Sequence, residues 1–127
     1  VFAPRMAQVL AGLGRGDITV GAGRETPLAG ENAFPDAWRK ASDEFWGVTT
    51  EEGGTPQKVQ QAAQLIVDTI NASEQPVVVF VSGAHTNLAE ALRLEPGIRD
   101  KIRSVIIMGG AVHVAQLPGT VNSSASQ

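Results

Sequence analysis

The sequence predicts an α/β protein: an open, mainly parallel sheet flanked by helices, incomplete as it stands. Three observations carry this. Val77-Val78-Val79-Phe80-Val81 is apolar at every position, as in a strand buried on both faces of a parallel sheet. A second buried strand, Val105–Met108, follows after helical spacing. Both strands run into small-residue turns, Ser82-Gly83-Ala84 and Gly109-Gly110. In open α/β sheets, the carboxyl ends of the strands are where ligands bind.

The elements follow in order. Met6, Val9, Leu10 and Leu13 recur at helical spacing, and Gly12, Gly14 and Gly16 end the helix through a left-handed cap. Ile18, Val20 and Ala22 alternate, which predicts a strand over Asp17 to Ala22. Gly23 to Gly54 reads as a long irregular stretch with a helical turn within Asp36 to Phe45. It holds Phe34, Trp38, Phe45 and Trp46, and loops of this length are commonly lids or contact segments. Trp38 and Trp46 are read as anchors of this loop on the domain, with stacking on a base as the alternative.

Thr55-Pro56 predicts a helix start. Val59, Ala63, Ile66, Val67 and Ile70 share one face of that helix, which ends near Asn71–Ser73. Pro76 opens the strand Val77–Val81. Thr86 is expected to cap the next helix, with Leu88, Ala91 and Leu92 turned inward, and Glu95-Pro96-Gly97 to break it. Ile98 and Ile102 mark a short further helix before the last strand. The order is βαβ logic in a single domain over residues 1–127.

Composition narrows the function classes. Ten basic and thirteen acidic residues give a formal net charge of -3, which provides no general attraction for nucleic acid or an anionic membrane. Arg93, Arg99, Lys101 and Arg103 are interleaved with Glu90, Glu95 and Asp100, as on a solvated helical face. Cysteine is absent, which excludes disulfides and thiolate zinc sites and fits a reducing, cytoplasmic location. No apolar run approaches the ~20 residues that span a bilayer. Both ends of the chain read as cut rather than finished.

The candidate chemistry sits at the strand ends. Gly12-Leu13-Gly14-Arg15-Gly16 is neither a P-loop nor a dinucleotide fingerprint, because its glycines end a helix and no lysine–serine pair follows. His85 and His113 are the only histidines. His85 reads as a hydrogen-bonded turn residue. His113, beyond the last strand, is the better general-base candidate but has no nearby carboxylate to orient it. No pair of carboxylates has the spacing of a glycosidase acid and base.

With these turns placed, the chain resembles the inosine–uridine nucleoside hydrolase family. The match rests on Leu13 to Gly23 with Pro27-Leu28, on Ser82-Gly83-Ala84-His85-Thr86-Asn87-Leu88-Ala89, on Leu92-Arg93-Leu94-Glu95-Pro96 with Ile98, and on Ile106-Ile107-Met108-Gly109-Gly110-Ala111. It is weakest from Glu25 to Gly54. The resemblance implies hydrolysis of the N-glycosidic bond of ribonucleosides, releasing base and ribose. It also implies a Ca²⁺ cofactor, a small nucleoside as substrate, and a homo-oligomer when full length.

Carried over by position, Ser82 corresponds to the turn whose main-chain carbonyl ligates the metal. Met108 corresponds to the methionine against the sugar. Thr120 falls where many members have a ribose-binding asparagine, and Asn122, two positions on, is the substitute candidate. The family's aspartate-rich motif, Asp-x-Asp-Pro-Gly-x-Asp-Asp, has no match in the chain, and no catalytic residue is assigned within it. The chain is therefore expected to be an internal fragment, weak in calcium binding and inactive alone. The alternative is a truncated, non-catalytic α/β module that binds a ligand or partner through the aromatic loop Phe34–Trp46.

Overall fold

A computed structural model describes residues 2–31, 33–49 and 58–109. The described elements are, in order, helix α1 (Phe2–Gly12), strand β1 (Gly21–Ala22), helix α2 (Asp36–Asp43), a 3-10 turn (Phe45–Gly47), strand β2 (Gln60–Gln61), helix α3 (Ala62–Ala72), strand β3 (Val77–Val81), helix α4 (Thr86–Leu94), a second 3-10 helix (Pro96–Lys101) and strand β4 (Ile102–Ile107). Among the described residues the strands form two separate two-stranded sheets, β1 with β2 and β3 with β4, and both are parallel. The chain falls into two compact units, residues 1–23 with 33–65, and residues 24–32 with 66–127.

In the first unit, α1 buries Ala7 and Ala11 one turn apart on one face. Its end is the predicted glycine cap. Gly14 takes φ 71, Gly14 N–H donates to the Ala11 carbonyl at 3.0 Å, and Arg15 N–H to the Leu10 carbonyl at 2.7 Å. This double bond pattern closes the carbonyls that a helix end leaves open.

The predicted strand Asp17–Ala22 shortens to Gly21–Ala22. A turn consumes its first half. The Arg15 guanidinium holds both carboxylate oxygens of Asp17, at 2.9 and 3.0 Å, and Ile18 N–H donates back to the Arg15 carbonyl at 3.1 Å. Sheet pairing starts only where Gln60 N–H reaches the Val20 carbonyl at 3.1 Å. At Gly21 the backbone passes so close to α3 that a Cβ would lie 2.9 Å from Ala62 Cα. Only glycine fits this crossing.

The aromatic stretch is more ordered than predicted, since α2 occupies Asp36–Asp43. Its tryptophans do not anchor it: Trp38 and Trp46 are 59% and 71% exposed. The aromatic contact to α1 is made by Phe45, whose ring stacks on Phe2 with centroids 5.0 Å apart. Phe45 and Trp46 both adopt positive φ, at 52° and 54°. Such backbone costs on the order of 1 kcal/mol or more per non-glycine residue and persists only where packing holds it.

Helix α3 begins at Ala62 in the described residues, directly after β2; the predicted start at Thr55-Pro56 lies outside them. Gln61 acts as its cap, with Oε1 accepting from Gln64 N–H at 2.7 Å. Of the predicted face, Ala63, Val67 and Ile70 are buried, joined by Ala62, while Ile66 is half-buried and Val59 precedes the helix.

The second unit holds the βαβ segment. β3 occupies the predicted residues, Val77–Val81. β4 begins three residues before its predicted start, at Ile102, so Ile102 belongs to the strand rather than to the short helix. The two strands run in register from Val78↔Ser104 to Val81↔Ile107, with an irregularity between Val77 and Val78 that absorbs Arg103. Ile98, in the connecting 3-10 helix, is fully buried. Glu95 caps that helix, accepting from Gly97 N–H at 3.2 Å. Lys101 Nζ donates to the Asn71 carbonyl at 2.9 Å, at the carboxyl end of α3 where a cation is favoured. One expectation fails here. β3 is not covered on both faces, since Val78, Phe80 and their cross-strand neighbour Ile106 are 50%, 65% and 52% exposed.

Candidate functional site

The parallel pairing of β3 and β4 decides where the two small-residue turns lie. In a parallel ladder, strands that end in register deliver their exits to the same edge. Val81 pairs with Ile107, and Met108 N–H donates to the Val81 carbonyl at 2.9 Å. Ser82 and Met108 are therefore the next residues out on adjacent strands, side by side at the carboxyl edge. The chain then opens. Among the described residues no ladder bond follows that of Met108, and nothing lies within 4 Å of where a Cβ would sit on Gly83 or Gly109. Gly109 takes φ 154, outside the ordinary range of L side chains.

This edge supplies backbone carbonyls and N–H groups, a small hydroxyl at Ser82, and the thioether of Met108, which is 62% exposed. Helix α4 rises directly from the Ser82 turn. Its cap position is His85 rather than Thr86, because the His85 carbonyl already accepts the first helical bond, from Ala89 N–H at 3.0 Å. The His85 side chain makes no capping bond, and its Nε2 is buried with no hydrogen-bond partner among the described residues. It is thus a turn residue, but not the hydrogen-bonded one predicted. His113, Thr120 and Asn122 lie outside the described residues.

A carbonyl oxygen such as that of Ser82 is the donor type a hard cation takes. The number of donors is the difficulty. Calcium takes about six to eight oxygens, and among the described residues no group of three or more His, Asp or Glu side chains gathers. The described residues by themselves do not make a calcium site. At the two turns the described residues offer one titratable side chain, that of His85, beside backbone groups that can bind and orient a ligand.

One contact in this unit was not legible from spacing. Arg24 Nη1 donates to Glu90 Oε1 at 2.9 Å, and Nη2 to Thr26 Oγ1 at 3.3 Å. The ion pair spans 66 positions in sequence, beyond the reach of any local pattern.

The architecture defines an α/β protein in which two small-residue turns leave the same carboxyl edge of a parallel strand pair. Comparison with known proteins makes the assignment specific: a family profile described as inosine-uridine preferring nucleoside hydrolase matches residues 3–126, and the chain belongs to that family. A relative from Leishmania major, named inosine-uridine preferring nucleoside hydrolase, is 44% identical over 55 residues, covering 42% of this chain and 18% of the relative. The pyrimidine-specific ribonucleoside hydrolase RihA of Citrobacter koseri is 32% identical over 105 residues, covering 83% of this chain and 33% of the relative.

Among solved structures, a purine-preferring ribonucleoside hydrolase from Gardnerella vaginalis superposes with TM-score 0.68 at 22% identity, over 88% of this chain and 36% of its own. An inosine-uridine preferring nucleoside hydrolase from Bacillus anthracis gives TM-score 0.55 at 23% identity, over 80% and 35%. These two likenesses bear on the fold alone. The chain spans about a third or less of the length of these curated relatives. Among the described residues no helix is long and apolar enough to cross a membrane.

Proposed function

We propose that this chain is part of a ribonucleoside hydrolase that cleaves the N-glycosidic bond of inosine- or uridine-type nucleosides to free base and ribose. Both compact units then belong to one partial hydrolase domain. The observation that carries the reading is the juxtaposition of Ser82 and Met108, delivered side by side by the in-register ends of β3 and β4. Family membership over residues 3–126 supports it. Had the two turns left opposite ends of the strands, they could not share a ligand.

In this reading the Ser82 carbonyl supplies one ligand to a calcium ion, and the remaining ligands come from parts of the hydrolase fold that this chain does not span. Bound calcium supplies a positive centre that orients hydroxyl groups and water. The chain's own residues hold the substrate. Met108 presents an apolar, polarisable surface for a ribose face. Gly83 and Gly109 keep the backbone bare so that a ligand can approach it, and Asn122 donates to a ribose hydroxyl. On the same reading the complete enzyme works in the cytoplasm as a homo-oligomer.

The named relatives include inosine-uridine, pyrimidine-specific and purine-preferring hydrolases. The test therefore uses inosine and uridine together. The complete protein releases hypoxanthine or uracil in a calcium-dependent, chelator-sensitive reaction, while the 127-residue chain releases neither. A complete protein without activity on either nucleoside contradicts the proposal. It would favour the second reading, a non-catalytic module, for which the specific observation is the exposed aromatic set Phe34, Trp38 and Trp46 at 65%, 59% and 71%.

A further inference from the structure

We infer that Arg24 is a positioning residue: its guanidinium clasps the segment after β1 to helix α4, the helix that rises from the Ser82 turn. The inference rests on the hydrolase reading for its functional consequence, but its geometry stands independently.

The segment concerned is short and lacks regular structure. Residues 24–31 contain no helix or strand. They nevertheless pack with the unit that contains β3, α4 and β4 rather than with the strand they follow. An irregular segment has no ladder or helix bonds to hold its course, so side-chain contacts must set it. Arg24 provides two at once. Nη1 meets Glu90 Oε1 on α4 at 2.9 Å, and Nη2 meets Thr26 Oγ1, two residues along its own segment, at 3.3 Å. One arm of the planar fork thus fixes the segment to the helix, and the other fixes the bend of the segment.

The guanidinium geometry is what makes both contacts possible together. A lysine ammonium carries the same charge at a single point and lacks the rigid fork. The Glu90 side chain is only 23% exposed, so its charge is partly withdrawn from water, where a partner counts for more than at an open surface. Glu90 lies four residues, about one helical turn, beyond Thr86. The clasp therefore acts at the middle of α4, on the helix that leaves the Ser82 turn and eight residues beyond Ser82. Releasing it frees the segment without removing any group assigned to bind the nucleoside.

The test uses Arg24→Ala, Glu90→Ala, the double variant and Arg24→Lys in the complete protein, with two readouts. The first is backbone hydrogen exchange. Each single alanine variant speeds exchange in residues 24–31 by about threefold, leaves α3 unchanged, and the double variant adds nothing to either single change. Arg24→Lys recovers only part of the protection. The second is nucleoside hydrolysis: KM rises severalfold and kcat stays within about twofold, the pattern of lost binding without lost chemistry. Unaltered exchange in residues 24–31, additive effects in the double variant, or equal loosening of every helix overturns the clasp. Should the complete protein hydrolyse no nucleoside, the hydrolase reading fails, while the exchange data still decide for or against the clasp.

Discussion

The two parallel strand pairs of this molecule differ in kind. β3 and β4 run together over five register positions and are linked by a helix that buries Ala91 and a 3-10 helix that buries Ile98. β1 and β2 pair over two residues, and their closest constraint is the crossing of Gly21 against α3. The first pair is held by its longer ladder and by the burial of Ala91 and Ile98 on the connecting helices. The second is held by a single close approach of backbone. The exits of the first pair have room, since a Cβ at Gly83 or Gly109 meets nothing within 4 Å; the crossing of the second has none.

The largest expected effect tests the burial side of this contrast. Ile98→Ala empties a fully buried position between α4 and β4 and costs about 3 kcal/mol, read as a lower urea midpoint. Phe80→Thr, on the exposed face of the neighbouring strand, costs far less in the same measurement. If the two variants fall equally, the core of this unit does not lie under Ile98.

Gly21→Ala tests the crossing. Its Cβ would meet Ala62 Cα at 2.9 Å and Leu65 Cδ2 at 3.1 Å, and a backbone atom cannot swing aside. The cost is about 2 kcal/mol, with faster exchange confined to β1, β2 and the start of α3. Gly83→Ala, where a Cβ meets nothing within 4 Å, leaves stability nearly unchanged.

A gain is expected at His85. Its Nε2 is buried with no partner among the described residues, so His85→Leu removes an unsatisfied polar atom and raises stability by about 1 kcal/mol. A loss of that size would mean that the imidazole has a partner in the complete protein.

The smallest effect belongs to the turn that shortens β1. The Arg15 guanidinium holds the Asp17 carboxyl below its ordinary value, and both groups are open to solvent. A carboxylate with a depressed folded-state pKa stabilises the protein above its unfolded value of 3.8 and loses that contribution as pH falls through the lower folded value. Asp17→Asn should therefore slightly reduce stability at neutral pH and flatten the acid limb below about pH 4. An unchanged acid limb would show that the pair contributes nothing.

The same contrast explains what the sequence made legible. Val77–Val81 declares itself because every residue is apolar and Pro76 and Ser82-Gly83 bound it. The glycine cap at Gly14 and the inward face of α3 followed from helical spacing just as directly. The alternation of Ile18, Val20 and Ala22 misled, because the Arg15–Asp17 pair and the bond from Ile18 to Arg15 close a turn that competes with the strand. The early start of β4 was hidden by Arg103 and Ser104, polar residues at an irregular register. Trp38 and Trp46 look like anchors by size, yet the smaller Phe45 makes the stack on Phe2. At the candidate site, the turns at Ser82 and Met108 were legible as motifs. The parallel βαβ order also implied that they leave at one edge, and the pairing of Val81 with Ile107 makes them neighbours. The Arg24–Glu90 contact lay beyond any periodic signal.

The measurement that bears most directly on the hydrolase account is a crystal structure of the complete protein with calcium and ribose. The account predicts the ion about 2.3–2.6 Å from the Ser82 carbonyl and the sugar in contact with the Met108 thioether. An ion bound elsewhere, with the exits of β3 and β4 bare, would contradict it.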